Sequence, residues 1–304
     1  MTTGKTSGNK NKRVIEREDK KSAYEAKVQE YVELELNRRA RRRRILISVC
    51  AVLGVACLLY VGTYSYEDYR TKKNYDDLSS LKESGQFVSN NPTDEEDVSP
   101  VINYTNPTEE MPEVLDEYKK LYNSNKKLLG WLKIDDTNIN YPVMQTNNNE
   151  YYLDHNINQE KDRNGALFLD KDCDVVNRST NLIIYGHHMK SGRMFGNLDE
   201  YEKEKYYKKH STIQFDTIYE KGTYEIMYVF RSRVYSEGDV VFKYYQFIDC
   251  YSEQEFYSNM KEMANLSLYD TGVTAEFGDK LLTLSTCDSS VDGGRFVVVA
   301  KKVD

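Results

Sequence analysis

The amino-acid sequence predicts a mainly β domain with added helices, preceded by a single transmembrane helix. Three observations predict it. Residues 45–64, ILISVCAVLGVACLLYVGTY, are twenty consecutive uncharged positions directly behind six arginines in the seven positions 38–44. Four of the five prolines follow at 92, 100, 107 and 112, among Asp, Glu, Asn, Ser and Thr. Short apolar runs separated by turn residues then continue to the C-terminus, the pattern of a barrel or a sandwich.

Residues 1–44 are polar, with fourteen Lys/Arg against seven Asp/Glu. The stretch VIEREDKKSAYEAKVQEYVELELNRRARRRR is rich in helix formers and i,i+4 opposite charges, so it predicts a solvated helix running into the apolar segment. Twenty residues at ~1.5 Å each span the roughly 30 Å hydrocarbon core. The arginine cluster keeps the N-terminal side in the cytoplasm and sends the C-terminal side outside. A cleaved signal peptide has a shorter apolar region nearer the N-terminus. A buried core helix has no use for six arginines at its entrance. Val55-Ala56-Cys57 hints at a lipoprotein site, but Gly54 stands where a larger aliphatic residue is usual.

The expected organisation is therefore a basic cytoplasmic tail (1–44), a transmembrane signal anchor (45–64), an acidic Pro-containing stalk (65–112) and a globular domain (113–304). The stalk is too polar to offset its ordering entropy by burial, with residues 65–85 extending the membrane helix outward.

Within the domain, Val114, Leu115, Tyr118, Leu121 and Tyr122 share one helical face. Eight strand candidates come after it: Gly130–Ile134, Asn138–Met144, Ala166–Asp170, Asn181–Tyr185, Thr212–Asp216, Thr223–Tyr235, Lys280–Thr286 and Phe296–Val303. Ser252-Glu253-Gln254-Glu255 is a capping box that opens a helix through about Ala264.

Charge and cysteine usage exclude several classes. The whole chain carries −7 and residues 1–44 carry +7, which leaves −14 on residues 45–304. A nucleic-acid binder would carry its basic patch on the folded domain. Five scattered cysteines without a CxxC form neither a disulfide framework nor a metal set, and no cofactor is implied. The 26 tyrosines, against one Trp and ten Phe, suit half-exposed edges and grooves, where a ring is buried and its hydroxyl is not.

Chemistry concentrates at three strand ends. Lys280–Cys287, KLLTLSTC, is an apolar run ending in a thiol, although a lone cysteine is more often a packed and inert one. Asn181–His188, NLIIYGHH, leads through a turn-permitting Gly186 to His187, a group able to take a proton from a thiol and return it to an amine. The adjacent His187 and His188 point to opposite faces of an extended chain, and no further ligands accompany them as a metal site would require. In DGGRFVVVAK, Arg295 opens an apolar strand, either as a solvated end or as a fixed cation for a developing oxyanion.

Taken together, the order Tyr-Gly-His, Leu-Ser-Thr-Cys and Arg before Phe-Val-Val-Val-Ala-Lys resembles the class B sortases. GWLKIDDTNINYPVMQTNNNEYYLDHN (Gly130–Asn156), NGALFLD (Asn164–Asp170) and HHMKSGRMFGNL (His187–Leu198) are similar to that class too, so the resemblance covers about Glu113 to Asp304. It implies a closed eight-stranded sortase-like β-barrel with added helices, on an extracytoplasmic enzyme of Gram-positive bacteria that fixes surface proteins to peptidoglycan. Carried over position by position, it implies Cys287 as nucleophile, His187 as acid/base and Arg295 as the transition-state arginine. Asn149, Leu153, Tyr185 and Ser285 match positions that line the groove for the sorting peptide.

The implied partners are surface proteins with a C-terminal sorting signal, a lipid II-like peptidoglycan amine and the membrane, with no nucleic acid. The implied place is the cell membrane, single-pass, with the N-terminus cytoplasmic and the catalytic domain outside. Two other functions fit parts of the same sequence: a hydrolytic cysteine peptidase, and a membrane-tethered barrel that binds a partner while its thiol stays idle.

Overall fold

The structure, a computed structural model, describes residues 7–84, 112–288 and 292–304; the stalk positions 85–111 lie outside the described residues. The chain divides into two compact units at Arg70/Thr71. Helix α1 spans Ser7–Ser84. In the first unit its apolar stretch is long enough to cross a membrane, and side chains such as Leu46, Val52, Leu58 and Val61 are left exposed among the described residues.

The second unit is built on eight strands: β1 (Leu128–Lys133), β2 (Asn140–Met144), β3 (Leu167–Leu169), β4 (Asn181–Gly186), β5 (Thr212–Thr217), β6 (Thr223–Arg233), β7 (Leu281–Asp288) and β8 (Gly294–Lys302). They hydrogen-bond in a closed barrel, β1-β2-β3-β4-β7-β8-β6-β5, so the barrel offers no edge for pairing with another chain. Most neighbours are antiparallel; β2–β3 and β4–β7 are parallel. The β4–β7 pair needs a long crossover, and β5, β6 and helix α4 (Glu253–Leu266) lie within it. Each strand coincides with one of the eight apolar runs expected from the sequence, with ends shifted by a residue or two.

Strand alternation sorts the side chains into two layers. Even-numbered positions of β7 and β8 (Leu282, Leu284, Phe296, Val298, Ala300) join Leu132, Val143, Leu182 and Phe215 inside the barrel. Odd-numbered Leu281, Val297 and Val299 face outward and are covered by Phe256, Met260 and Met263 of α4. The α4 start is a cap in the expected place: the Ser252 hydroxyl accepts from the Glu255 N–H at 3.2 Å. The Glu255 carboxylate returns to the Tyr251 N–H at 3.4 Å, one residue before the cap.

Two further helices complete the unit. Helix α2 (Asp116–Ser124) buries Tyr118 and Leu121, and Val114, Leu115 and Tyr122 are half-buried beside them, the face read from the sequence. Helix α3 (Glu204–Tyr207) is one turn and buries Tyr207.

The fold also takes in helical residues that sequence composition assigns to the stalk. Thr71 and Tyr75 are buried and Leu78 is packed on the same core. Their i, i+4, i+7 spacing makes one face of the end of α1. The Tyr75 ring meets Tyr141 edge-on at 5.1 Å, and its hydroxyl donates to the Gly165 carbonyl at 3.3 Å. The Thr71 hydroxyl donates to Asp162 at 2.9 Å, and Asn140 donates to Ser79 at 2.8 Å. Lys82 lies over the rings of Tyr118 and Trp131, 3.5 Å from the Asp216 carboxylate.

Candidate active site

The outward face of β7 shows how a thiol comes to be exposed at the end of a buried strand. Leu281 lies under α4. Thr283 donates to the Asn181 side chain at 2.9 Å. Ser285, 1% exposed, meets the Tyr244 hydroxyl at 2.7 Å. The covering layer ends there, and Cys287, two residues on and on the same face, is exposed.

The flanking strands bring the other candidates beside it. In the parallel β4–β7 pair, Tyr185 is in register with Ser285 and Gly186 with Thr286. One step beyond that ladder come His187 on one strand and Cys287 on the other, and both line the same groove. The Thr286 hydroxyl donates to the Gly186 carbonyl at 2.7 Å and holds the two strand ends together. On the other side, Arg295 of β8 is the direct antiparallel partner of Cys287. Three strand ends therefore place His187, Cys287 and Arg295 side by side.

A groove of about 460 Å³ opens over them. All seven residues singled out in the sequence line it: Asn149, Leu153, Tyr185, His187, Ser285, Cys287 and Arg295. The loop before and through the 3-10 turn Tyr151–Leu153 forms one wall, and Tyr244 and Tyr245 of a second 3-10 turn form the other. His187 donates Nε2–H to the Leu153 carbonyl oxygen at 2.5 Å, since a carbonyl can only accept. That contact fixes the ring and leaves Nδ1 as the nitrogen turned to proton exchange in the groove. His188 faces elsewhere and meets Asp199 at 3.2 Å, which separates the two histidines as extended-chain geometry predicts.

Arg295 directs its Nη1 to the carbonyls of Gly293 and Gly294 at 3.3 and 2.8 Å. Its guanidinium is thus tied to its own hairpin with donors to spare. Burial pushes the Tyr244 hydroxyl up to about 12, although the Ser285 hydrogen bond and the nearby Arg295 charge both work against that rise. Tyr244 consequently stays neutral and offers a hydroxyl, never a phenolate, at the groove wall.

Beneath Asn149 and Tyr185 lies Asp170, 3% exposed. Burial raises its carboxyl above the ordinary value, restrained by hydrogen bonds from the Asp172 N–H, Tyr185 and Asn149. Burial, and then the Asp170 charge, drive the Tyr185 hydroxyl upward as well.

Sequence reasoning did not single out Tyr244, Tyr245 or Asp170. The tyrosines sit in a three-residue 3-10 turn, too short for any periodicity to mark. Asp170 did have a signal, a lone acid closing the apolar run ALFLD at a strand end. Among the described residues, no three His, Cys, Asp or Glu side chains gather as metal ligands.

Known proteins share this fold and much of this sequence. A family model described as the sortase domain matches residues 132–303. Sortase B of Staphylococcus aureus is 29% identical over 267 residues, covering 86% of this chain and 98% of that protein. Sortase B of Listeria monocytogenes is 34% identical over 193 residues, covering 63% and 76%. Two solved structures superpose with a TM-score of 0.62 each, both covering 78% of this chain and 98% of the other. They are sortase B from B. anthracis in complex with AAEK1, at 32% identity, and the Staphylococcus aureus sortase B–substrate complex, at 27%. With the family model spanning more than half of its length and class B relatives on both counts, the chain belongs to the sortase B family of cysteine transpeptidases.

Proposed function

We propose that this chain is a membrane-anchored transpeptidase that cuts the C-terminal sorting signal of surface proteins at Cys287 and transfers the acyl group to a cell-wall amine. The observation that carries the proposal is the meeting of Cys287, His187 and Arg295 from three neighbouring strands at one groove.

The Cys287 thiolate attacks the carbonyl carbon of a Thr in the sorting signal. Negative charge develops on the carbonyl oxygen, where the Arg295 guanidinium steadies it. His187, as imidazolium, protonates the departing amine as the C–N bond breaks, leaving an acyl thioester on Cys287. An amine of a lipid II-like peptidoglycan precursor then attacks the thioester. His187 accepts its proton, the new amide forms and the thiolate leaves. Conserving acyl energy in the thioester lets amide exchange proceed without ATP. Asn149, Leu153, Tyr185 and Ser285 hold the peptide along the groove.

The remaining organisation rests on the sequence. Residues 1–44 form a cytoplasmic tail, 45–64 the anchor and 65–112 the stretch joining it to a catalytic domain outside the membrane, oriented by Arg38–Arg44, with Thr71, Tyr75 and Leu78 of that stretch packed into the domain.

The test is incubation of the full chain, in detergent micelles, with a library of fluorogenic sorting peptides, with and without an amine acceptor, followed by mass spectrometry. Peptide joined to the acceptor, lost in Cys287→Ala, is the expected result. Cleavage by water with no capture by any wall-precursor amine would make the protein a hydrolytic peptidase. No cleavage and no adduct on Cys287 would leave a binding module with an idle thiol.

A further inference from the structure

Among the described residues, Asp170 is the one buried carboxylate beneath the groove, and it takes no part in the chemistry above. It stands immediately after β3, on the same face as Phe168, whose β4 partner is Tyr185. Its backbone is pinned on both sides: its N–H donates to Ile183 at 2.8 Å, and its carbonyl accepts from Gln145 at 2.7 Å. The neighbouring Lys171 pairs with Asp172 instead of with it.

All three groups that reach the Asp170 carboxylate are donors. The Asp172 N–H takes Oδ1 at 2.9 Å. The Asn149 amide and the Tyr185 hydroxyl both take Oδ2, each at 2.9 Å. Three donors onto one buried carboxyl suit its ionised, acceptor-only form.

The consequence lies in the polar groups that Asn149 and Tyr185 have left to offer. An asparagine amide is ordinarily free to present either its oxygen or its nitrogen. Here Oδ1 accepts from the Lys171 N–H at 2.8 Å while Nδ2 donates to Asp170, so the orientation is set at both ends. One N–H remains for the groove. The Tyr185 hydroxyl has used its only hydrogen on Asp170, so its oxygen lone pairs remain. A peptide backbone offers the matching pair, a carbonyl to accept and an N–H to donate.

We propose that Asp170 is a positioning residue for peptide recognition: it locks Asn149 as a hydrogen-bond donor and Tyr185 as an acceptor towards the backbone of the bound sorting peptide. The proposal rests on the transpeptidase reading for its substrate, but the lock itself is a property of the free protein. It assigns the side-chain-specific part of recognition to other parts of the groove, since a backbone-directed pair is indifferent to sequence. It also accounts for a buried charge that stability alone would not retain.

The experiment uses the full chain in detergent micelles. Asp170→Leu, similar in volume and without an acceptor, is expected to raise KM for the sorting peptide by about tenfold or more, the effect of misorienting two polar contacts. Its kcat should stay within about threefold, and iodoacetamide should alkylate Cys287 at the wild-type rate. Asp170→Asn, which keeps one accepting oxygen, should restore most of the affinity; it also serves if the leucine variant does not fold. In an Asn149→Ala/Tyr185→Phe background, either substitution should add little, because the groups through which Asp170 acts are gone. A wild-type KM in Asp170→Leu, or an equal loss in both backgrounds, overturns the proposal.

A second readout needs no turnover. In chain labelled with ¹⁵N-asparagine, one of the two Asn149 side-chain amide protons, assigned by their loss in Asn149→Ala, should exchange slowly with solvent in the wild type and lose that protection in Asp170→Leu. Rapid exchange of both protons in the wild type also overturns the lock. If the wild-type chain turns over no sorting peptide, the transpeptidase reading falls while this resonance still decides the role of Asp170.

Discussion

Cys287 and Arg295 are direct partners across the antiparallel β7–β8 pair, so the proposed nucleophile and its proposed cation are set by backbone register and not by a flexible loop. The Arg295 fork is anchored at one nitrogen by the Gly293 and Gly294 carbonyls, which leaves the rest of the guanidinium for a developing oxyanion. A lysine has a single nitrogen and cannot hold the hairpin and the oxyanion with the same geometry. Arg295→Lys is therefore expected to lower kcat by about 10²–10³, the cost of losing one preorganised oxyanion donor. KM should change little. Single-turnover thioester formation, followed by intact-protein mass spectrometry, checks this, and near-wild-type acylation by the lysine variant would remove Arg295 from the chemistry.

The end of α1 contributes to stability through Tyr75, which is 6% exposed. Tyr75→Ala removes a buried ring packed on Tyr141 and should destabilise the second unit by about 3 kcal/mol or more, as large-to-small aromatic changes do. Tyr75→Phe keeps the ring and loses one hydrogen bond of 3.3 Å, for about 1 kcal/mol or less. The effect should reach the groove, because the Tyr75 acceptor Gly165 adjoins Ala166, whose N–H donates to Tyr152 beside Leu153. Gly165 has φ +59°, and a Cβ there would lie 2.3 Å from the Tyr152 carbonyl oxygen, so this turn has little room to adapt. Urea denaturation of the two variants separates ring from hydroxyl; equal midpoints for alanine and phenylalanine would mean that the ring packing contributes nothing.

The eight strands were legible because each is a short apolar run bounded by turn residues, and the catalytic candidates were legible because each stands at one end of such a run. Tyr185, His187, Ser285 and Cys287 needed only the two-residue period to fall on one face once β4 and β7 were paired. The pairing itself was not legible. β4 and β7 are separated by more than ninety residues and lie parallel, and nothing local announces which strands will meet. The docked face of α1 was hidden for another reason: Thr71, Tyr75 and Leu78 are correctly spaced but stand among charges, and only tertiary packing reveals which face is covered. Asp170 shows the limit most clearly. A single acid at a strand end reads as a solvated terminus until Asn149 and Tyr185 are seen to converge on it.

Gly186 separates Tyr185 from His187, and its place is enforced by close packing. A Cβ there would lie 2.3 Å from a methyl of Leu167 and 2.8 Å from the Phe195 ring. Gly186→Ala should overpack the barrel end and cost about 1–3 kcal/mol. Because Thr286 is tied to the Gly186 carbonyl, the displaced backbone would also move His187 relative to Cys287. The expected outcome is a lower melting temperature together with a fall in kcat larger than the change in KM. A variant with lowered stability and unchanged kcat would show that the His187–Cys287 relationship does not depend on this contact.

Asp170 carries a stability cost whose sign can be worked out. Its folded carboxyl sits above its ordinary value of 3.8 because burial disfavours the charge. Between the unfolded and the folded value the native state binds more proton than the unfolded state, so stability falls as pH rises through that window. Above the folded value the full cost is present. The neighbouring Asp172 adds to the rise, while the Asp172 N–H, Tyr185 and Asn149 hydrogen bonds limit it. Asp170→Asn removes the titration, so its stability relative to the wild type should improve as pH rises from the ordinary value through the folded one and level off above it. Thermal melts of the two proteins at a series of pH values measure this directly. If the difference runs the other way, with the wild type gaining on the variant as pH rises, the hydrogen bonds outweigh burial and the Asp170 carboxylate is a stabilising group at neutral pH.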